Sequence, residues 1–340
     1  MNVDVIITGR DAEKHIADCV AAVRASEFYK GELRLCYVDQ GSSDSSVLLA
    51  RRIEGLEVLH GGARPLGRAQ ARNLGWRRGK APAVLFLDVR SRLDPGWIET
   101  AVRALDRDVG AVTGPLQPAP GCSFWAKALI WEDCPRHDVD DPLPASQCLL
   151  RRKVLRRARG FLQTAEPESM ADLGAWMLDH GWLVRVTHEV AATVHAPALD
   201  LPAYLVRCFR QGAAYAQIRR RLGLWRLTPP GRAGAKAMRA VLRCSSALAM
   251  TALGLSAVFG SRLEFAPLLP FGLLAAVFPR VWRYGEFATQ RALSIQEGQH
   301  FAWARCLAGF AWAAGFLFRL VIRPPKPAGR SPKQPGPRPG

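Results

Sequence analysis

Eight cysteines occur in 340 residues, yet none forms a CxxC pair or stands at His/Cys ligand spacing. Metal clusters and a disulfide framework are therefore not expected, and a reduced, cytosol-facing compartment is. Acids are scarce, with 29 Asp or Glu against 47 Lys or Arg and a net charge of +18. That excess invites a nucleic-acid reading, but no basic helix with interleaved aromatics occurs outside the apolar C-terminal region. The N-terminus lacks a basic segment followed by an apolar one, so no signal peptide is expected. No charge-free apolar run reaches the roughly 20 residues of a comfortable bilayer span.

The positive charge is unevenly placed. Residues 231–340 hold 15 Lys or Arg against 3 acids, which is 12 of the net +18 and leaves 6 for residues 1–230. The excess surrounds charge-free runs at 244–260, 265–279 and 306–318, a pattern suited to anionic lipid headgroups. The first two runs predict a helical hairpin over 240–280. The third predicts an interfacial or re-entrant helix over 301–322, which keeps the basic tail, 323–340, on the cytosolic side. That tail is rich in Pro and Gly and is expected to be disordered. Ahead of these runs, residues 201–236 predict a basic amphipathic interface helix and linker, with Arg207, Arg210, Arg219, Arg220 and Arg221.

Residues 1–200 read as one α/β domain. Apolar runs at 3–8, 33–38, 56–59, 83–87 and 109–113 predict strands, and helical periodicity covers 12–25, 45–53, 66–79 and 96–105. Short connections between alternating strands and helices give a largely parallel sheet. The run Val84-Leu85-Phe86-Leu87 ends at Asp88, which places that carboxylate at the strand end where open α/β sheets bind ligands. Residues 184–194 read as hairpin-like, and Trp131-Glu132-Asp133 as an acceptor-side surface or, preferably, an ordinary loop.

Five segments, in order, resemble the inverting family 2 glycosyltransferases of the GT-A (nucleotide-diphospho-sugar transferase, Rossmann-like) fold. Val5-Ile6-Ile7-Thr8-Gly9-Arg10-Asp11 stands where that family has its first strand and nucleotide loop. Tyr37-Val38-Asp39-Gln40-Gly41-Ser42-Ser43-Asp44 resembles its "VDDGSTD" turn, and Gly67 to Gly75, containing Ala71-Arg72-Asn73, its "G…ARN.G" helix. Phe86-Leu87-Asp88-Val89-Arg90 through Trp97 resembles "FLDADDRLDPDW". Arg151-Arg152-Lys153-Val154-Leu155 with Gly160-Phe161 is similar to "RREVLEEVGGF". The likeness covers roughly residues 3–215.

The resemblance implies a membrane-anchored enzyme that moves a sugar from a nucleotide-sugar donor to a lipid-linked or polysaccharide acceptor at the cytosolic face of the cell (inner) membrane. It assigns Thr8, Asp11, Asp39, Arg72 and Asp88 to the donor. A divalent metal, Mg or Mn, would sit on Asp88 with His195, and Gln211 would lie on the acceptor side. Here the chain departs from the pattern. The DxD motif reads Asp88-Val89-Arg90, so a cation replaces the second carboxylate, and the acidic pair that contains the general base falls on Ser169-Met170. Glu168 and Asp172 are then the nearest candidate bases, with Arg90 stabilising the leaving group. Two expectations follow: an active transferase, or a weakened relative that binds nucleotide-sugar, lipid or a partner without transfer.

Overall fold

The computed structural model describes residues 1–26, 28, 31–61, 65–132, 147–163, 169–222 and 294–321. A seven-stranded sheet is built from β1 (Val3–Gly9), β2 (Leu33–Asp39), β3 (Leu56–His60), β4 (Ala83–Asp88), β6 (Val109–Thr113), β8 (Cys148–Arg151) and β9 (Leu183–Val186). Its order is β3-β2-β1-β4-β8-β6-β9, with β8 antiparallel to both neighbours and the other pairs parallel. The chain winds outward from β1 to β3 and then returns to β1's other side as β4. That reversal is a topological switch point, where the carboxyl ends of β1 and β4 open a crevice. Thr8 and Asp88 are register partners at these strand ends.

Alternation along the strands sorts side chains to two cores. Val3, Val5 and Ile7 of β1 pack under α1 (Ile16–Arg24) and α4 (Trp97–Arg103). Ile6 faces the other way, under α3 (Arg68–Arg78), α6 (Arg152–Ala158) and α7 (Ser169–Asp179). Burial on both faces explains why these strands are continuous apolar runs. α2 (Ser46–Arg52) precedes β3, with Asp44 accepting the Ser46 N–H at 3.0 Å.

Two family-like segments meet in one buried contact. Asn73 Nδ2 donates to Phe161 O at 2.6 Å, while Asn73 Oδ1 accepts from Phe161 N at 2.9 Å and Trp76 Nε1 at 3.0 Å. Gly160 holds φ +85°, and a Cβ there would strike Asn73 Oδ1; one on Gly75 would strike Ile6. The glycines thus permit the close approach that Asn73 locks.

Three expectations are corrected. The helix read over 12–25 starts only at Ile16, because Asp11 has φ +48° and side chains of the neighbouring loop take the N–H groups of residues 11–13. The hairpin read over 184–194 does not form. β9 joins the main sheet, whereas β10 (Ala192–Val194) lies between β5 (Ser91–Leu93) and β7 (Leu116–Pro118) in a second sheet, antiparallel to β5 and parallel to β7. Trp131 and Glu132 end helix α5 (Phe124–Glu132), with Trp131 buried, rather than forming a loop.

The expected basic helix is α8 (Leu201–Leu222), and the third apolar segment lies within α9 (Ile295–Val321). The two cross closely: a Cβ on Gly212 would strike Trp312 O, and one on Gly315 would strike Phe209 O. The N-terminal half of α9 also buries Phe301, Ala304 and Ala308 against α5 and α8. Among the described residues, Ile295–Arg319 is the one helix long and apolar enough to cross a membrane by length and composition, with 41% of its apolar window buried. The expected hairpin over 240–280 and the tail over 323–340 lie outside the described residues.

Candidate functional site

Two loops at the strand ends are stitched together reciprocally. Ser42 Oγ, Ser46 Oγ and Asp44 Oδ2 accept the backbone N–H groups of Asp11, Ala12 and Glu13 at 2.9, 2.7 and 3.0 Å. In return, Asp11 Oδ1 accepts from Ser43 N at 2.8 Å, and Glu13 Oε2 from Ser45 N at 3.3 Å. Backbone donors in such a loop need partners, and here each loop supplies the other's. Burial pushes the Asp44 carboxyl up, but hydrogen bonds from Ser46 and the Glu13 N–H outweigh it and hold its pKa below the ordinary value.

The small sheet brings up the opposite wall. Pairing of β10 with β5 sets His195 beside Arg90, whose carbonyl accepts the His195 N–H at 2.8 Å. Residues 119–122 are tied to the same strand through the Ala119 N–H to Val194 O at 2.9 Å and Cys122 Sγ to Val194 O at 3.7 Å. Between the walls is an open cavity of about 600 Å³, lined by residues that include Asp11, Glu13, Lys14, His15, Asp44, Arg90, Cys122 and His195. That is the size of a small-molecule site.

His15 and His195 rings stand 5.6 Å apart between centroids. Burial, then His195, then Arg90 lower the His15 pKa, against opposing pulls from Asp18 and Asp88. Asp88 Oδ1 accepts the Arg90 N–H at 3.0 Å, and the Arg90 guanidinium donates to Arg10 O at 3.4 Å.

Of the residues expected at the site, Asp11, Arg90 and His195 line this cavity, and Asp88 is half-buried beside Arg90. Thr8, Asp39 and Arg72 are buried and do not line it. Asp39 staples its own turn, accepting from Gly41 N, Ser42 N, Ser42 Oγ and Tyr37 OH at 2.9, 3.0, 2.5 and 3.2 Å. The Arg72 guanidinium lies 5.6 Å from the Phe161 ring centroid. Asp172 is in the first turn of α7 and Gln211 on α8, neither lining the cavity. Glu168 lies outside the described residues.

Sequence reading missed His15, Lys14 and Cys122. Extending α1 back to residue 12 turns His15 into a helix-surface residue; Gly9 followed by a polar run at a strand end was the available signal of a loop.

A divalent metal needs converging oxygen or imidazole ligands. Among the described residues no group of three His, Cys, Asp or Glu could hold one, and Arg90 occupies the position of the second motif carboxylate. Asp88 is the motif carboxylate left to hold an ion, with His195 beside Arg90, and the remaining ligands would have to come from outside the described side chains.

Residues 4–157 match the profile described as Glycosyl transferase family 2. These residues are a family 2 glycosyltransferase domain. An N-acetylglucosaminyltransferase of Mesorhizobium japonicum is 32% identical to the chain over 135 residues, 38% of this chain and 32% of the relative. The chain thus spans about a third of that relative's length. In structure, the family 2 domain and its helices are similar to the mannosyltransferase PcManGT of Pyrobaculum calidifontis, solved with GDP-Man and Mn2+. The TM-score is 0.57 at 16% identity, covering 94% of this chain and 86% of that one, which shows the GT-A fold. S. aureus TarS 1-349 in complex with UDP-GlcNAc aligns at a TM-score of 0.47 and 12% identity, covering 92% and 90%.

Proposed function

We propose that this chain is a glycosyltransferase that takes a nucleotide-sugar and passes the sugar, with inversion, to a lipid-linked or polysaccharide acceptor at the cytosolic face of a membrane. One observation carries the donor half: within a family 2 domain, a cavity of about 600 Å³ with several charged side chains opens at the sheet's switch point, beside Asp88. Such a crevice is where doubly wound sheets bind nucleotides. In this reading Asp11 and Asp88 face the donor and Arg90 faces the charge that develops on the departing diphosphate. An inverting attack also needs a base for the acceptor hydroxyl, a role assigned to Asp172 or Glu168.

The membrane half rests on α9. Trp303, Leu307, Leu317 and Phe318 are exposed along it, although Phe318 also meets the Phe209 ring of α8 at 5.6 Å between centroids. An apolar stripe of that kind beside a basic helix suits a lipid interface.

A second reading, binding without transfer, is supported by the position of Asp172, which does not line the cavity. Full-length protein in detergent, given dispersed lipid acceptor and a panel of UDP- and GDP-sugars, separates the two. Release of nucleoside diphosphate is the expected result; donor binding with no release across the panel refutes transfer.

A further inference from the structure

We infer that His15, Arg90 and His195, with Lys14 beside them, form a metal-independent cradle for the phosphate oxygens of a nucleoside diphosphate. The inference deepens the donor-site reading above and rests on it, but names different residues and a different means of holding charge.

The first ground is convergence. Four nitrogen-bearing side chains from three separate segments reach one cavity. His15 follows β1, Arg90 follows β4, and His195 follows β10 in the second sheet. Bringing them together takes the β5–β10 pairing and the late start of α1, both of which end at this point.

The second ground is that the two cationic side chains of the cavity are not taken up by its carboxylates. No ion pair is made by Arg90 or Lys14 among the described residues, and the one side-chain hydrogen bond of Arg90 is the 3.4 Å contact to Arg10 O. Nearby carboxylates have other partners. Asp18 pairs with Arg92, Asp88 Oδ1 takes the Arg90 backbone N–H, and Asp11, Glu13 and Asp44 hold the facing loops together. Cationic side chains without a paired carboxylate, with imidazole N–H groups beside them, are stabilised by an anion placed among them.

The third ground is substitution at the motif. A DxD site neutralises diphosphate through a cation carried by carboxylates. Here the second carboxylate position is itself a guanidinium, and among the described residues no group of three His, Cys, Asp or Glu could hold a metal. A guanidinium grips phosphate oxygens with two parallel N–H bonds, and a neutral imidazole still donates one. The chain would thus place the positive charge on its own side chains.

The test is isothermal titration of the full-length protein in detergent with UDP and GDP, using uridine and guanosine as controls, first in EDTA and then with Mn2+. A diphosphate is expected to bind in EDTA with a Kd within about threefold of its Mn2+ value. H15Q and R90Q should each weaken diphosphate binding by about tenfold while leaving nucleoside binding unchanged, and R90K should restore part of it. Inorganic pyrophosphate should displace UDP from the unaltered protein in EDTA, a measurement that needs no variant to fold. Binding seen only with Mn2+, wild-type affinity in both variants, failure of pyrophosphate to compete, or no binding of either diphosphate overturns the cradle. Sugar transfer with Mn2+-dependent binding would sink the cradle and leave the transferase reading standing. Tight binding in EDTA with no transfer would do the reverse.

Discussion

Replacing Asp4 with Ala should be among the most destabilising single changes in the α/β domain. Asp4 is 2% exposed at the start of β1, and its carboxylate receives the guanidinium of Arg152, Arg34 Nε at 3.1 Å and the Ala81 N–H at 3.1 Å. Arg152 is buried too, with its remaining N–H groups on Trp76 O and Ala81 O. The pair joins β1, the α3–β4 connection and the β8–α6 junction. Burial lowers the Arg152 pKa, and Asp4 pushes it back up. Removing the carboxylate leaves a buried cation with only carbonyls and the Trp76 ring as partners, a loss of about 3–5 kcal/mol. For a domain of this size that is roughly 6–20 °C in Tm. D4A and the wild type would be compared by urea midpoint and thermal unfolding, together with R152M and the D4A/R152M double variant. An apolar replacement of both charges should recover much of the loss, because the cost lies in the stranded charge rather than in the missing attraction. A D4A midpoint within about 1 kcal/mol of wild type, or a double variant no better than D4A, would refute the reasoning.

N73L should cost about 2–4 kcal/mol, since Phe161 N, Phe161 O and Trp76 Nε1 lose their buried partner together; a urea midpoint close to that of wild type would contradict this. G212V should break the α8–α9 crossing, because its side chain meets the Trp312 carbonyl; faster proteolysis within 201–222, with the unfolding of the α/β domain unchanged, is the expected readout. Asp44 has a pKa lowered by folding, so its contribution to stability is present above the unfolded value near about pH 4 and fades as pH falls through the folded value. D44N should therefore be less stable than wild type at pH 7 and approach it in acid, measured as the gap between their urea midpoints from pH 7 to pH 3.

The strands at the centre of the sheet were legible because each is a continuous apolar run, as burial on both faces requires. β1, β2, β4 and β6 stand within a residue or so of their sequence positions. The first helix was misread at its start because periodicity alone cannot see that Ser42, Ser46 and Asp44, more than 30 residues away, cap the N–H groups of residues 11–13. The second sheet was missed because β5, β7 and β10 are three-residue strands, too short to show alternation, with partners far apart in sequence. The same long-range pairing hid the relation of His195 to His15. Arg90 was visible only because it breaks a motif.

The family-like motifs divide into scaffold and site, and that division decides how far resemblance can be carried. Asn73, Gly75 and Gly160 fix α3 against the sheet and against residues 160–161. Arg152 closes the buried pair with Asp4, and Asp39 occupies both its oxygens in its own turn. These residues would be required whatever the cavity did, because removing any of them strands a buried polar group or forces a clash. The GT-A architecture follows from them. The cavity wall follows different constraints: at Arg90 the motif carboxylate is replaced without disturbing the backbone, since the Arg90 N–H still caps Asp88 and its carbonyl still holds His195. A position whose main chain is structural and whose side chain is free to change is where chemistry can diverge within a fixed fold. The proposed diphosphate cradle therefore rests on Arg90, His15 and His195 rather than on the motifs that establish the fold.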